Sequence, residues 1–149
     1  MVIDITTLGG DPEVARRMIA DLDAARRRLP SCRFCLVGRS VVYSAGVTFM
    51  AGFPRADRYL TRDARLLVHC RQIKKTLELD GPIRAQIARI EALLHQFRTG
   101  IDLEVENFER LIEGSDVSLD ELLEKALYNW YLTAEESVER GLVAGILDP

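Results

Sequence analysis

Residues 2–7, VIDITT, alternate apolar and polar side chains and are rich in β-branched residues, which predicts a strand. The strand runs into Leu8-Gly9-Gly10. Asp11 is then a natural N-cap, and Pro12 suits the first position of a helix. Val14, Met18, Ile19, Leu22 and Ala25 recur at helical spacing until Pro30 stops the pattern. FCLVG (34–38) is a continuous apolar run ending in glycine, the pattern of a buried parallel strand. A second helix is expected from Ser44 to about Gly52, with Pro54 beyond it. RYL (58–60) and RLLVHC (65–70) predict two further short strands joined by the polar turn TRDA. Strands alternating with helices argue for an α/β domain with right-handed crossovers.

The pattern changes after Asp80-Gly81-Pro82. Ile83, Ile87, Ile90, Leu94 and Phe97 mark a long amphipathic helix expected to end at Gly100. A separate shorter helix would carry Val105, Phe108, Leu111 and Ile112 and close at Gly114. Ser118-Leu-Asp-Glu121 and Thr133-Ala-Glu-Glu136 are capping-box patterns that open two more helices. Gly141 ends the second of these, and LVAGIL predicts a last strand. The chain shows no internal repeat, low-complexity tract or linker, so residues 1–149 read as one α/β domain with a helical excursion in its second half.

Composition narrows the picture. A chain of 149 residues with 48% apolar and 29% charged residues suits one globular domain with a hydrophobic core. The net charge of −3, with arginines interleaved among acids as in DLDAARRR, offers no electrostatic case for nucleic acid or an anionic membrane. No apolar run approaches the roughly 18–20 residues of a membrane span. The start, MVIDITTLGG, lacks the basic and apolar regions of a signal peptide. With three cysteines there is no disulfide framework, and a cytoplasmic location is expected. Cys32 and Cys35 form a CxxC, but in a strand-like segment without a second ligand pair. They read as ordinary core or edge cysteines, and no metal or cofactor is expected.

Candidate chemistry centres on VVYSAGVTFMAG (41–52). A serine where a strand turns into a helix exposes its Oγ, and the backbone N–H groups that follow point at any oxyanion formed there. Its general base must be a neutral histidine within reach. Of the two histidines, His95 lies in the long helix, whereas His69 ends the strand RLLVH on the scaffold that follows Ser44. The plain alternatives stay open at this level: a serine opening a helix is also an N-cap, and a histidine ending a strand is also structural. YSAG is not the full G-x-S-x-G elbow either, because Val42 occupies the place of the first glycine.

Taken together, Leu8-Gly9-Gly10, Ser44-Ala45-Gly46, Ala51-Gly52, Asp57-Arg58-Tyr59 and the strand Ala64–His69 resemble the proteolytic subunit of the ATP-dependent Clp protease, within the Clp protease/crotonase superfamily. Tyr131-Leu132-Thr133-Ala134-Glu135-Glu136-Ser137 and Gly141-Leu142-Val143 are similar to that family's closing motif. The resemblance implies a ββα spiral with a helical handle at about residues 72–128, here longer than usual, and a shortened N-terminus. It also implies Ser44 as nucleophile, His69 as base, and the N–H groups of Gly10 and Ala45 as oxyanion hole. The family's third member, an aspartate, falls at Asn129, whose side-chain oxygen can orient an imidazole without offsetting its charge; Asp116 and Asp120 are the alternatives nearby. The implied activity is hydrolysis of peptides or unfolded polypeptides in a homo-oligomer, with an ATP-dependent unfoldase or a paralogous subunit as partner. A catalytically degenerate subunit and an acyl-CoA enzyme of the crotonase branch are the competing readings. No lysine among Lys74, Lys75 and Lys125 sits where a lysine base would be needed.

Overall fold

In the computed structural model, which describes residues 1–148, the first two elements form where the pattern sets them. β1 spans Val2–Thr7 and α1 spans Pro12–Arg28. The Asp11 carboxylate accepts the Glu13 N–H at 2.8 Å, and Pro12 has no N–H to leave unpaired. Ala15, Ile19 and Leu22 form the buried stripe of α1, while Arg26, Arg27 and Arg28 lie in its last turn, where the helix dipole favours cations.

β2 departs from its expected length. It does not stop at Gly38 but runs over Cys35–Tyr43, bending at Ser40, which has φ 56°. The bend lets one strand serve two partners. Leu36, Val37 and Gly38 pair in parallel with β3 (Arg58–Thr61), and Val41, Val42 and Tyr43 with β4 (Arg65–Val68). β1 pairs with β2 in both regions, with an irregularity between Ile5 and Thr7, so β3 and β4 share the opposite edge. The sheet must therefore curl.

α2 spans Ala45–Ala51, and Phe49, Met50 and Ala51 join the core with Leu36, Leu60, Leu66 and Leu142. The leucine, phenylalanine and methionine side chains each contribute about 1.5–3 kcal/mol on burial.

The largest difference from the sequence reading is in the excursion. Instead of two helices parted at Gly100, a single helix, α3, runs for 30 residues from Ile83 to Ile112. Glycine inside a helix costs only about 1 kcal/mol relative to alanine. Gly100 does not take the left-handed backbone that would terminate the helix. The C-terminal half is anchored by buried Phe108 and Leu111, whereas Ile83, Ile87, Ile90 and Leu94 of the N-terminal half remain exposed. α4 (Leu119–Ala126) follows, then β5 (Trp130–Thr133), a strand that the apolar pattern did not reveal. β5 pairs antiparallel with β4. α5 (Ala134–Glu139) begins with the full capping box at Thr133 and Glu136, and β6 (Gly145–Leu147) closes the sheet against β3. The last strand is thus shorter than LVAGIL: its ladder to β3 begins at Gly145, and Leu142 and Val143 are buried ahead of it.

Only half of the expected box forms at α4. Ser118 accepts the Glu121 N–H at 3.2 Å, but the Glu121 carboxylate turns to Arg140 (2.7 and 2.9 Å) and to Lys125 (2.8 Å). Hydrogen bonds from Arg140 and then Lys125 hold the Glu121 carboxyl down at about 2, against an ordinary value of 4.5. The folded-state pKa is depressed, so this contribution to stability is complete above pH 4.5 and is lost as pH falls towards 2. Acid titration of the melting temperature should show the loss in the wild type and a shallower one in Glu121→Gln. Parallel curves for the two proteins would contradict this.

Arg58, the first residue of β3, is 1% exposed. Its guanidinium donates to the carbonyl oxygens of Phe53 (2.7 Å), Leu111 (2.7 Å), Arg110 (2.9 Å), Leu142 (3.2 Å) and Ala51 (3.4 Å). One side chain thus satisfies the end of α2, the last turn of α3 and the chain beyond α5.

Candidate active site

The turn from β2 into α2 holds Ser44 in a backbone conformation that non-glycine residues rarely adopt, φ 54° and ψ −115°. Its N–H donates to the Leu67 carbonyl at 2.9 Å, extending the β2–β4 pairing, and its carbonyl accepts from Val47 and Thr48. Strain of this kind costs of order 1–3 kcal/mol and is held only by surroundings such as these. The hydroxyl makes no capping bond to α2, although Ser44 occupies the N-cap position. The plain-cap alternative therefore has no hydrogen bond behind it.

Gly9 and Gly10 lie against this turn. Gly9 has φ +108°, and a Cβ there would fall 2.8 Å from Ser44 Cβ and 3.1 Å from the Tyr43 carbonyl oxygen. Gly10, also at positive φ, has open space where its Cβ would be. Neither the Gly10 nor the Ala45 N–H has an acceptor among the described residues. Gly9→Ala should destabilise the fold by about 1–3 kcal/mol and displace Ser44, since both the backbone and the contact oppose it. A denaturation curve matching wild type would show that the turn yields more easily than its packing implies.

His69 follows β4 directly. Its Nδ1 lies 2.7 Å from the Cys70 carbonyl oxygen. A carbonyl can only accept, so Nδ1 carries the proton and the neutral ring keeps its lone pair on Nε2. That is the tautomer a general base needs if Nε2 is to take a proton.

Ser44, His69, Gly10 and Ala45 line one cleft of about 660 Å³. Val47, Val68, Phe97, Ile101 and Phe108 supply apolar wall, and α3 forms one side. Polar side chains, among them Thr48, Arg71, Gln72, Gln96, Glu104 and Asn107, line it as well, and a concavity that combines apolar wall with convergent polar groups is the usual form of a binding site. Among the described residues no hydrogen bond joins Ser44 to His69. Such bonds often tighten only when substrate is present.

Asn129 does not line the cleft. The register Val68↔Trp130 places it across the strand pair from His69, but its backbone turns left-handed there (φ 66°). Its side chain is exposed and makes no hydrogen bond among the described residues. Asp116 is taken by Arg140 at 2.8 Å, Asp120 is exposed, and His95 sits exposed on α3. Cys32 and Cys35 are free and half-buried. No group of three or more metal-ligating side chains forms among the described residues.

Glu104 is the cleft residue that the sequence reading did not single out. It is 9% exposed on α3, and its Oε2 accepts the Arg71 N–H. Burial and then the Glu104 charge push the Cys70 thiol up to about 11, so Cys70 stays protonated and unreactive at neutral pH.

No family model matches the sequence, and no curated protein matches it. Among solved structures, the chain is similar to an asparagine-to-aspartate mutant of ClpP1 from Listeria monocytogenes. The TM-score is 0.72 with 19% identity, over 100% of this chain and 74% of the other. The chain therefore has a ClpP-like α/β fold: a curled sheet with the long helix as its excursion. No helix among the described residues is long and apolar enough to cross a membrane.

Proposed function

We propose that the chain is a Clp-like serine peptidase. The observation that carries this reading is the strained turn. It presents an uncommitted Ser44 hydroxyl to the same cleft as His69, whose lone pair lies on Nε2, and as the unpaired N–H groups of Gly10 and Ala45. Ser44 Oγ attacks the substrate carbonyl while His69 Nε2 takes the hydroxyl proton. The N–H groups of Gly10 and Ala45 donate to the oxyanion of the tetrahedral intermediate. Collapse breaks the C–N bond, with the proton passing from His69 to the leaving amine. Water then repeats the sequence on the acyl-enzyme, regenerating Ser44 and releasing the acid. Asn129 lies across the strand pair from His69, and its side chain makes no hydrogen bond among the described residues.

The substrates in this reading are peptides or unfolded polypeptides. The exposed apolar stripe of α3, Ile83 through Leu94, suits packing against another copy in a homo-oligomer. An ATP-dependent unfoldase or paralogous subunit would then deliver substrate, and no metal or cofactor enters the chemistry.

A fluorophosphonate probe should label wild-type protein at Ser44, with the label lost in Ser44→Ala. A degenerate subunit is the second reading, favoured by the lack of a Ser44–His69 hydrogen bond among the described residues. Absence of labelling in folded, assembled protein would select it over the peptidase.

A further inference from the structure

The group that orients His69 is one peptide unit, and that unit is held from its other side by a buried carboxylate. The Cys70–Arg71 peptide offers its carbonyl to His69 Nδ1 at 2.7 Å and its N–H to Glu104 Oε2. A trans peptide sets its N–H and C=O in opposite directions, so Glu104 and His69 lie on opposite sides of one planar group. We propose that Glu104 is the positioning residue for His69, acting through the Cys70–Arg71 peptide in the role the resemblance gives to Asn129.

Two observations and one physical argument support this. Glu104 is 9% exposed, whereas Asn129 is an exposed residue with no side-chain hydrogen bond among the described residues. The peptide is fixed at its flanks as well: the Cys70 N–H donates to the Ala126 carbonyl at 3.0 Å, and the Arg71 guanidinium pairs with Glu13 of α1 at 2.6 Å. Finally, a carboxylate accepting an amide N–H polarises that amide. The carbonyl on the far side then becomes a better acceptor, since hydrogen bonds in a chain strengthen one another. The arrangement holds the Nδ1–H tautomer and stabilises positive charge on the ring as it takes the Ser44 proton. The carboxylate achieves this one peptide away, without touching the imidazole.

The role in catalysis rests on the peptidase reading, but the relay itself is read from the ring and needs no activity. The test is proton–nitrogen NMR of the full chain, in wild type, Glu104→Gln, Glu104→Ala and Asn129→Ala, alongside the rate of fluorophosphonate labelling. In the wild type, His69 should be protonated at Nδ1 in its neutral form, with the Arg71 amide proton shifted downfield. Glutamine still accepts the Arg71 N–H but carries no charge. Glu104→Gln should therefore keep the tautomer while moving both the Arg71 amide and the His69 Nδ1–H resonances upfield. Glu104→Ala should mix the tautomers and slow labelling roughly tenfold, a fraction of the 10²–10⁴ that a well-held base supplies. Asn129→Ala should leave the His69 ring resonances in place.

A merely structural Glu104 would not move the His69 Nδ1–H resonance in Glu104→Gln, and that result overturns the proposal. So does loss of the Nδ1–H tautomer in Asn129→Ala. If Glu104→Ala fails to fold, Glu104→Gln decides alone. If the wild type takes no label, the peptidase reading fails while the ring resonances still decide the relay.

Discussion

Replacing Arg58 by methionine should lower the free energy of unfolding by about 3–5 kcal/mol, because each buried carbonyl left without a donor costs about 1–3 kcal/mol and several are left at once. Methionine fills much of the same volume, so the loss comes from hydrogen bonds more than from a cavity. Five carbonyl oxygens lose their donor, on Ala51, Phe53, Arg110, Leu111 and Leu142. Four of these bonds are buried and the one to Arg110 is part-buried, and an unpaired buried group costs about 1–3 kcal/mol. The sum is not additive, because relaxation at one carbonyl relieves others. Burial pushes the Arg58 guanidinium down to about 10, so it is still charged at neutral pH. Arg58→Lys should lie between the two proteins, since lysine keeps the charge but not the planar fork that reaches several acceptors. Urea denaturation at pH 7 measures both. A loss below about 1 kcal/mol in Arg58→Met would mean that the carbonyls find other donors.

The second large effect is catalytic. In a serine peptidase, Ser44→Ala and His69→Ala should each cut kcat for a peptide substrate by about 10⁴–10⁶. The double variant should be no slower than the worse single one, because nucleophile and base act as a unit. That pattern separates a working pair from two residues that independently support the cleft, whose losses would multiply. Residual hydrolysis above the rate in water should persist in all three, from binding and from the N–H groups of Gly10 and Ala45. Steady-state cleavage of an unstructured fluorogenic peptide reads all of this. A His69→Ala enzyme as fast as wild type would remove His69 from the chemistry.

Local signals carried the first half of the chain well. Asp11 and Pro12 set the start of α1 within one turn, and a cap acts through neighbours in sequence. Ser44 was legible for the same reason, as a small-residue turn between an apolar run and a helix. What escaped depends on partners distant in the chain. β2 continues past Gly38 because β4 pairs with Val41, Val42 and Tyr43. Gly100 fails to end a helix because burial of Phe108 and Leu111 outweighs its modest propensity penalty. β5 is four residues long with no clear alternation, and only its ladder with β4 makes it a strand. Glu104 was the least visible. In EVENFE it reads as one acid among several on a solvated face, and its use depends on the Arg71 N–H lying 33 positions away in the chain. Nor can a backbone carbonyl that orients a histidine leave any mark on composition.

The bend in β2 also bears on how the protein comes apart. β1, β3 and β4 all pair with this one strand, and β5 and β6 reach the sheet only through β4 and β3. Only the β3–β6 and β4–β5 pairings do not involve β2, so no three strands stay paired once β2 is lost. Partial opening can peel the outer strands, but exposing the amides of Leu36 or Val42 requires the whole molecule to unfold. Those amides should therefore exchange with solvent at the global rate, and the domain should melt in one cooperative step.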